Sequence, residues 1–119
     1  MSSQKTVLIV DDSQVSRTML RAIIGDAEPA WNVLEARSAK EAIEQARRVE
    51  VDILTLDVNM PGATGLSIAP RLKQMCPFAR IAVLTANMSK EVLEEASSLG
   101  LEYISKPITE NKVKAFLYK

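Results

Sequence analysis

Apolar residues follow two alternating rhythms along this chain. Near-continuous apolar runs rich in β-branched residues occupy positions 7–10, 33–34, 53–56 and 81–84, with a weaker run at 103–104. Three of the five lack polar alternation, as expected of parallel strands covered on both faces. Between the runs the spacing turns helical. Val15, Met19, Ala22 and Ile23 fall on one predicted helical face, and Ala39, Ala42, Ile43 and Ala46 repeat that spacing. So do Val92, Ala96 and Leu99, and then Val113, Phe116 and Leu117. Ser38-Ala39-Lys40-Glu41 reads as a capping box, and Gly100 stands where a helix C-terminal glycine belongs. The third helix, over 65–75, carries Pro70 in its interior, which predicts a kink or a late start. A β-α unit repeated five times implies a doubly wound parallel sheet with right-handed crossovers and helices on both faces.

Size and charge narrow the function classes. A chain of 119 residues is long enough for one core and too short for two, so residues 1–119 are read as one domain. Lys+Arg and Asp+Glu number 15 each, leaving no net charge to drive direct nucleic-acid or membrane-surface binding. Cys76 is the single cysteine and cannot form an internal disulfide, and MSSQK lacks the apolar core of a signal peptide. No apolar run approaches the roughly 20 residues that span a bilayer. The expectation is a soluble cytoplasmic protein with a native N-terminus. The end at Lys119, inside the last predicted helix, fits a natural stop or a truncation equally. There is no histidine, so chemistry must run on carboxylates, Lys, Thr, Ser or the thiol.

The polar residues gather at one set of strand ends. Asp11 and Asp12 follow the first strand, Asp57 the third, Thr85 the fourth and Lys106 the fifth. In open α/β sheets ligands bind at the carboxyl ends of strands, at the switch point, which for strand order 2-1-3-4-5 lies between strands one and three. Singly, each residue has an ordinary explanation: Asp12 or Ser13 could cap the first helix, Thr85 could satisfy a turn, and Lys106 could be a solvated charge. Jointly, four strand ends supply an acid cluster, a hydroxyl and an ammonium.

Asp11-Asp12, the block Asp57-Val58-Asn59-Met60-Pro61-Gly62, Leu84-Thr85-Ala86, and Lys106-Pro107 with Tyr103 three residues before it resemble the receiver domain of two-component response regulators. The likeness runs from Lys5 to the end, and with no output domain attached it is closest to the single-domain, CheY-like type with a flavodoxin-like fold. That resemblance implies a phosphoryl acceptor at Asp57, assisted by Lys106 and Thr85. Three clustered carboxylates repel unless a cation lies among them, and Mg²⁺ (or Mn²⁺) suits oxygen ligands. By resemblance Asp12, Asp57 and the Asn59 backbone carbonyl ligate it, with Asp11 acting through water. Thr85 and Tyr103 are the implied switch pair, and Lys106-Pro107 the implied cis peptide. Asn59, Ala86 and Asn87 would flank the phosphate.

The implied phosphodonor is a histidine kinase or a histidine phosphotransfer protein, and the absence of histidine fits an acceptor. The implied target site is the fourth helix, fifth strand and fifth helix, roughly residues 89–117, on a monomer or weak dimer. A chemotaxis-type regulator, a phosphorelay link and a receiver cut from a longer DNA-binding or enzymatic regulator share these features. Such a chain catalyses only its own phosphorylation and dephosphorylation. Thr64, Pro70 and Asn87 depart from common family patterns. Two other classes fit less well. An aspartyl-phosphate phosphatase-type hydrolase wants a second acid two residues after the nucleophile, where Asn59 stands. A flavodoxin-like cofactor binder wants a Ser/Thr/Gly-rich phosphate loop after the first strand, where Asp11 and Asp12 stand. Trp31, opening the second strand, is expected at the opposite end of the sheet from Asp57.

Overall fold

The computed structural model describes residues 4–59, 65–86 and 89–119. Strands β1 (Thr6–Val10), β2 (Asn32–Ala36), β3 (Ile53–Asp57), β4 (Arg80–Thr85) and β5 (Glu102–Ser105) alternate with helices α1 (Gln14–Ala27), α2 (Ala39–Arg48), α3 (Gly65–Met75), α4 (Lys90–Ser98) and α5 (Glu110–Leu117). All pairings are parallel, in the order β2-β1-β3-β4-β5. The predicted architecture is therefore the observed one.

The sheet divides the core in two, as the alternation of side chains along each strand requires. Leu8, Val10, Leu54, Leu56 and Val83 pack with Ala42, Ala46, Leu72 and Ala96 of α2, α3 and α4. Val7, Ile9, Ile53, Ala82 and Leu84 pack on the other face with Leu20 and Ile24 of α1 and Val113, Phe116 and Leu117 of α5. The central strand β3 is buried along its whole length, which explains its near-continuous apolar run. One polar side chain interrupts that run, Thr55, whose buried hydroxyl has no hydrogen-bond partner among the described residues.

Three local expectations are refined. In α1 the buried stripe is Leu20 and Ile24, with Ile23 partly covered, whereas Val15 and Met19 are 71% and 42% exposed and Ala22 is exposed as well. Both stripes have helical spacing, so periodicity alone could not choose between them. Ser38 caps α2 as expected, accepting from the Glu41 N–H at 3.1 Å, but the Glu41 carboxylate reaches back to Arg37 N–H (3.0 Å) instead of the cap residue. Helix α3 starts at Gly65 and runs through Pro70, so the late start is not seen. Pro70 has no N–H to offer the Leu66 carbonyl one turn back. Gly100 closes α4 with φ 75°, and Leu101 N–H bonds Ala96 O at 2.9 Å, the left-handed cap anticipated for it.

Candidate functional site

Parallel pairing sends every strand's carboxyl end to one edge. Val10 of β1 is level with Leu56 of β3, so the residues that follow, Asp11 and Asp57, emerge side by side. Oxygen atoms of Asp11, Asp12 and Asp57 lie within 4.8 Å of one another. Asp11 and Asp57 are almost completely buried, and Asp12 is exposed. Ser13 takes the helix-capping role, accepting from Ser16 N–H at 3.3 Å, so Asp12 is not needed as the cap of α1.

Each acid is held differently. Asp11 Oδ1 accepts the Ser13 N–H at 2.9 Å, while Asp11 Oδ2 is buried without a partner among the described residues. Burial pushes the Asp11 carboxyl above its ordinary pKa; the Ser13 N–H opposes this, the charge of Asp57 adds to it, Lys106 offsets it, and Asp12 adds to it. Asp57, at the end of β3, is gripped through Oδ1 by Lys106 Nζ at 2.9 Å and by the Asn59 N–H at 3.3 Å. An unpaired buried oxygen among three carboxylates is an electrostatic fault that a hard divalent cation corrects. The donor set is all oxygen, as Mg²⁺ or Mn²⁺ requires, so these residues fit such an ion.

Lys106 is aimed by the chain around it. Its N–H bonds Thr85 O at 2.9 Å, extending the β4–β5 pairing, and the Lys106-Pro107 peptide is cis, as the resemblance implied. Lys112 Nζ bonds Ser105 O and Pro107 O, both at 3.2 Å, bracketing that turn from α5. Thr85 is fully buried at the end of β4, one step beyond the level of Asp57, and Ala86 after it is exposed. Tyr103 on β5 is 50% exposed and lines a cavity of about 650 Å³ between α4, β5 and α5, together with Leu93, Leu101 and Phe116. Asp11, Asp12, Asp57 and Lys106 thus come together from three strand ends, with Thr85 closing the neighbouring strand β4. Asn87, Thr64 and the Met60-Pro61-Gly62 stretch lie outside the described residues.

Residues 7–118 match the family model for the response regulator receiver domain. The chain belongs to that family. This receiver is 34% identical over 117 residues to the chemotaxis protein CheY of Thermotoga maritima, covering 97% of this chain and 96% of that protein. Chemotaxis protein CheY4 of Vibrio cholerae superposes with a TM-score of 0.89 at 28% identity, covering 98% of both chains. A response regulator from Burkholderia pseudomallei, solved with a phosphorylated aspartic acid, a calcium ion and citrate, superposes with a TM-score of 0.83 at 29% identity. That match covers 96% of this chain and 65% of the other. Several further relatives are longer proteins, in which the receiver spans 30% of the length. No helix among the described residues is long and apolar enough to cross a membrane.

Two features of the site escaped the sequence. Val15 and Met19, with Gln14 and Thr18, border a hollow of about 450 Å³ on α1 just past the acids. Arg17, whose side chain is only 12% exposed, donates to Asp11 O at 2.7 Å. The one available signal was an arginine pair four residues apart, Arg17 and Arg21, flanking the buried Leu20.

Proposed function

We propose that this receiver accepts a phosphoryl group on Asp57 from a phosphohistidine of a histidine kinase or phosphotransfer protein, and that the acyl phosphate changes its α4–β5–α5 surface to control a protein target. The observation that carries this reading is the Lys106 ammonium at 2.9 Å from Asp57 Oδ1, beside two further carboxylates, one of them with an orphaned oxygen.

The chemistry follows from who holds what. A carboxylate oxygen of Asp57 attacks phosphorus, and the P–N bond to the donor imidazole breaks in line. Asp57 stands at the end of a fully buried strand, so the nucleophile has a rigid mount. Lys106 neutralises charge on the transferring oxygens, and the Asn59 N–H already points at the same carboxylate. Asp11, Asp12, Asp57 and the Asn59 carbonyl would hold Mg²⁺ or Mn²⁺, which when bound supplies charge neutralisation for the phosphoryl oxygens. Thr85, buried one step past Asp57, donates its hydroxyl to the phosphate, and Tyr103 turns inward as the threonine moves. The exposed Val15 and Met19, three and seven residues past Asp12 along α1, offer the donor protein an apolar contact.

Residues 1–119 act as one receiver unit, in the cytoplasm, as a monomer or weak dimer. A phosphatase-type hydrolysis lacks its general acid, because Asn59 occupies the position two after Asp57. Beryllium fluoride, which mimics the phosphoryl group on an aspartate, tests the reading by amide NMR. Mg²⁺-dependent shifts at Asp57, Thr85 and Tyr103, abolished by Asp57→Asn, are expected. Binding that survives Asp57→Asn would overturn it.

A further inference from the structure

Two arginines of α1 make nearly the same contacts with one difference. Arg17 Nε donates to Glu35 Oε1 at 2.9 Å and Arg21 Nε to Glu35 Oε2 at 2.7 Å, so one carboxylate on β2 is shared by both. Each guanidinium also donates to a backbone carbonyl. For Arg21 it is Val33 O, at 2.9 Å, within β2; for Arg17 it is Asp11 O, at 2.7 Å, inside the acid cluster. Arg21 is half exposed, whereas the Arg17 side chain is only 12% exposed.

We propose that Arg17 is a positioning residue for the cation site, fixing the peptide that joins Asp11 to Asp12 by tying it to Glu35 on β2. The Asp11 backbone is then held from both sides by consecutive residues of one strand. Its N–H donates to Ala36 O at 3.0 Å, and its carbonyl is clamped through Arg17 to Glu35. Rotation about the Cα–C bond of Asp11 would turn that carbonyl away from Arg17 and swing Asp12 out of its place beside Asp11 and Asp57. A guanidinium suits this task because its planar fork holds a carbonyl and a carboxylate at a fixed angle. The proposal rests on reading the three acids as a divalent-cation site and extends it to residues that set its geometry.

Arg21 supplies the matched control, since Arg21→Gln also removes a bond to Glu35 and a bond to a carbonyl. Two readouts are taken on the full chain of wild type, Arg17→Gln and Arg21→Gln. One is the Mg²⁺ dissociation constant by calorimetry, without any phosphodonor; the other is amide hydrogen exchange of Asp11 and Ser13 in EDTA. Arg17→Gln is expected to weaken Mg²⁺ binding about tenfold and speed exchange at both amides by a similar factor. Arg21→Gln should change either by less than about twofold. Equal effects of the two substitutions, or wild-type values for Arg17→Gln, would overturn the proposal. Should wild type take up no Mg²⁺, the cation reading falls, and exchange in EDTA still decides whether Arg17 holds the peptide. If Arg17→Gln does not fold, Glu35→Ala carries the test by removing the clamp's anchor on β2. Faster exchange at Asp11 and Ser13 than in Arg21→Gln is then expected, and wild-type exchange would contradict the clamp.

Discussion

Burial removes Asp11 from water while Asp57 and Asp12 place negative charge beside it, so its carboxyl titrates above the ordinary value of 3.8. An acid whose pKa is raised by folding binds more protons folded than unfolded, so its ionisation costs stability as pH rises through the raised value. Asp11→Asn should therefore stabilise the ion-free protein at pH 7, and the gain should vanish at and below pH 3.8. Urea unfolding in EDTA at the two pH values measures this. Added Mg²⁺ should reverse the order, stabilising wild type more than the mutant. Lys106→Met removes the ammonium from Asp57, and phosphorylation by a small phosphodonor should slow by about a hundredfold, read by intact mass against time. Thr55→Val replaces a buried hydroxyl, unpartnered among the described residues, by a methyl group of like shape. Unlike most buried substitutions it should leave stability unchanged or raise it by up to about 1 kcal/mol in a urea midpoint experiment.

At the scale of elements, what the sequence revealed depended on how local the deciding contacts are. The strands were legible because helices cover both sheet faces, which demands near-continuous apolar runs such as the one in β3. Two caps were legible, Ser38 in its capping box and Ser13 as one of two candidates; Ser89 and Thr109 serve an N–H three residues on in the same way but were not singled out. The buried side of α1 was not legible, because Val15-Met19-Ala22 and Leu20-Ile24 are both valid helical stripes and only the position of the sheet selects the second. Leu20→Ala should accordingly cost about 2–4 kcal/mol in urea unfolding, and Met19→Ala less than about 1 kcal/mol. The acid cluster, Thr85 and Lys106 were legible from joint spacing, as each sits one or two steps past an apolar run. Arg17 was hidden for the opposite reason: its partner Glu35 is 18 residues away, and the one trace near it in the sequence is Arg21, four residues on.

On the proposed reading, the fold separates reception from output. Asp57 and the acids occupy the carboxyl edge of the sheet, while Tyr103 opens onto the groove between α4 and α5. Arg80 steadies the base of that groove. It pairs with both Glu102 oxygens, at 2.9 and 2.8 Å, and stacks 4.5 Å from the Phe116 ring, tying β4, β5 and α5 together. Trp31 lies at the amino edge, just before β2 and with Lys5 Nζ 5.7 Å from its ring, so a strand of about 17 Å separates it from the level of the acids. Tryptophan fluorescence should therefore respond weakly to Mg²⁺ or beryllium fluoride, and a strong quench in a titration would contradict this placement.

The most direct test of the account is intact mass after incubation with Mg²⁺ and acetyl phosphate, for wild type and Asp57→Asn. One added phosphoryl group is predicted on wild type, absent without Mg²⁺ and absent from the mutant. An adduct that persists on Asp57→Asn, or that forms equally well in EDTA, would contradict the assignment of Asp57 as the acceptor served by this acid cluster.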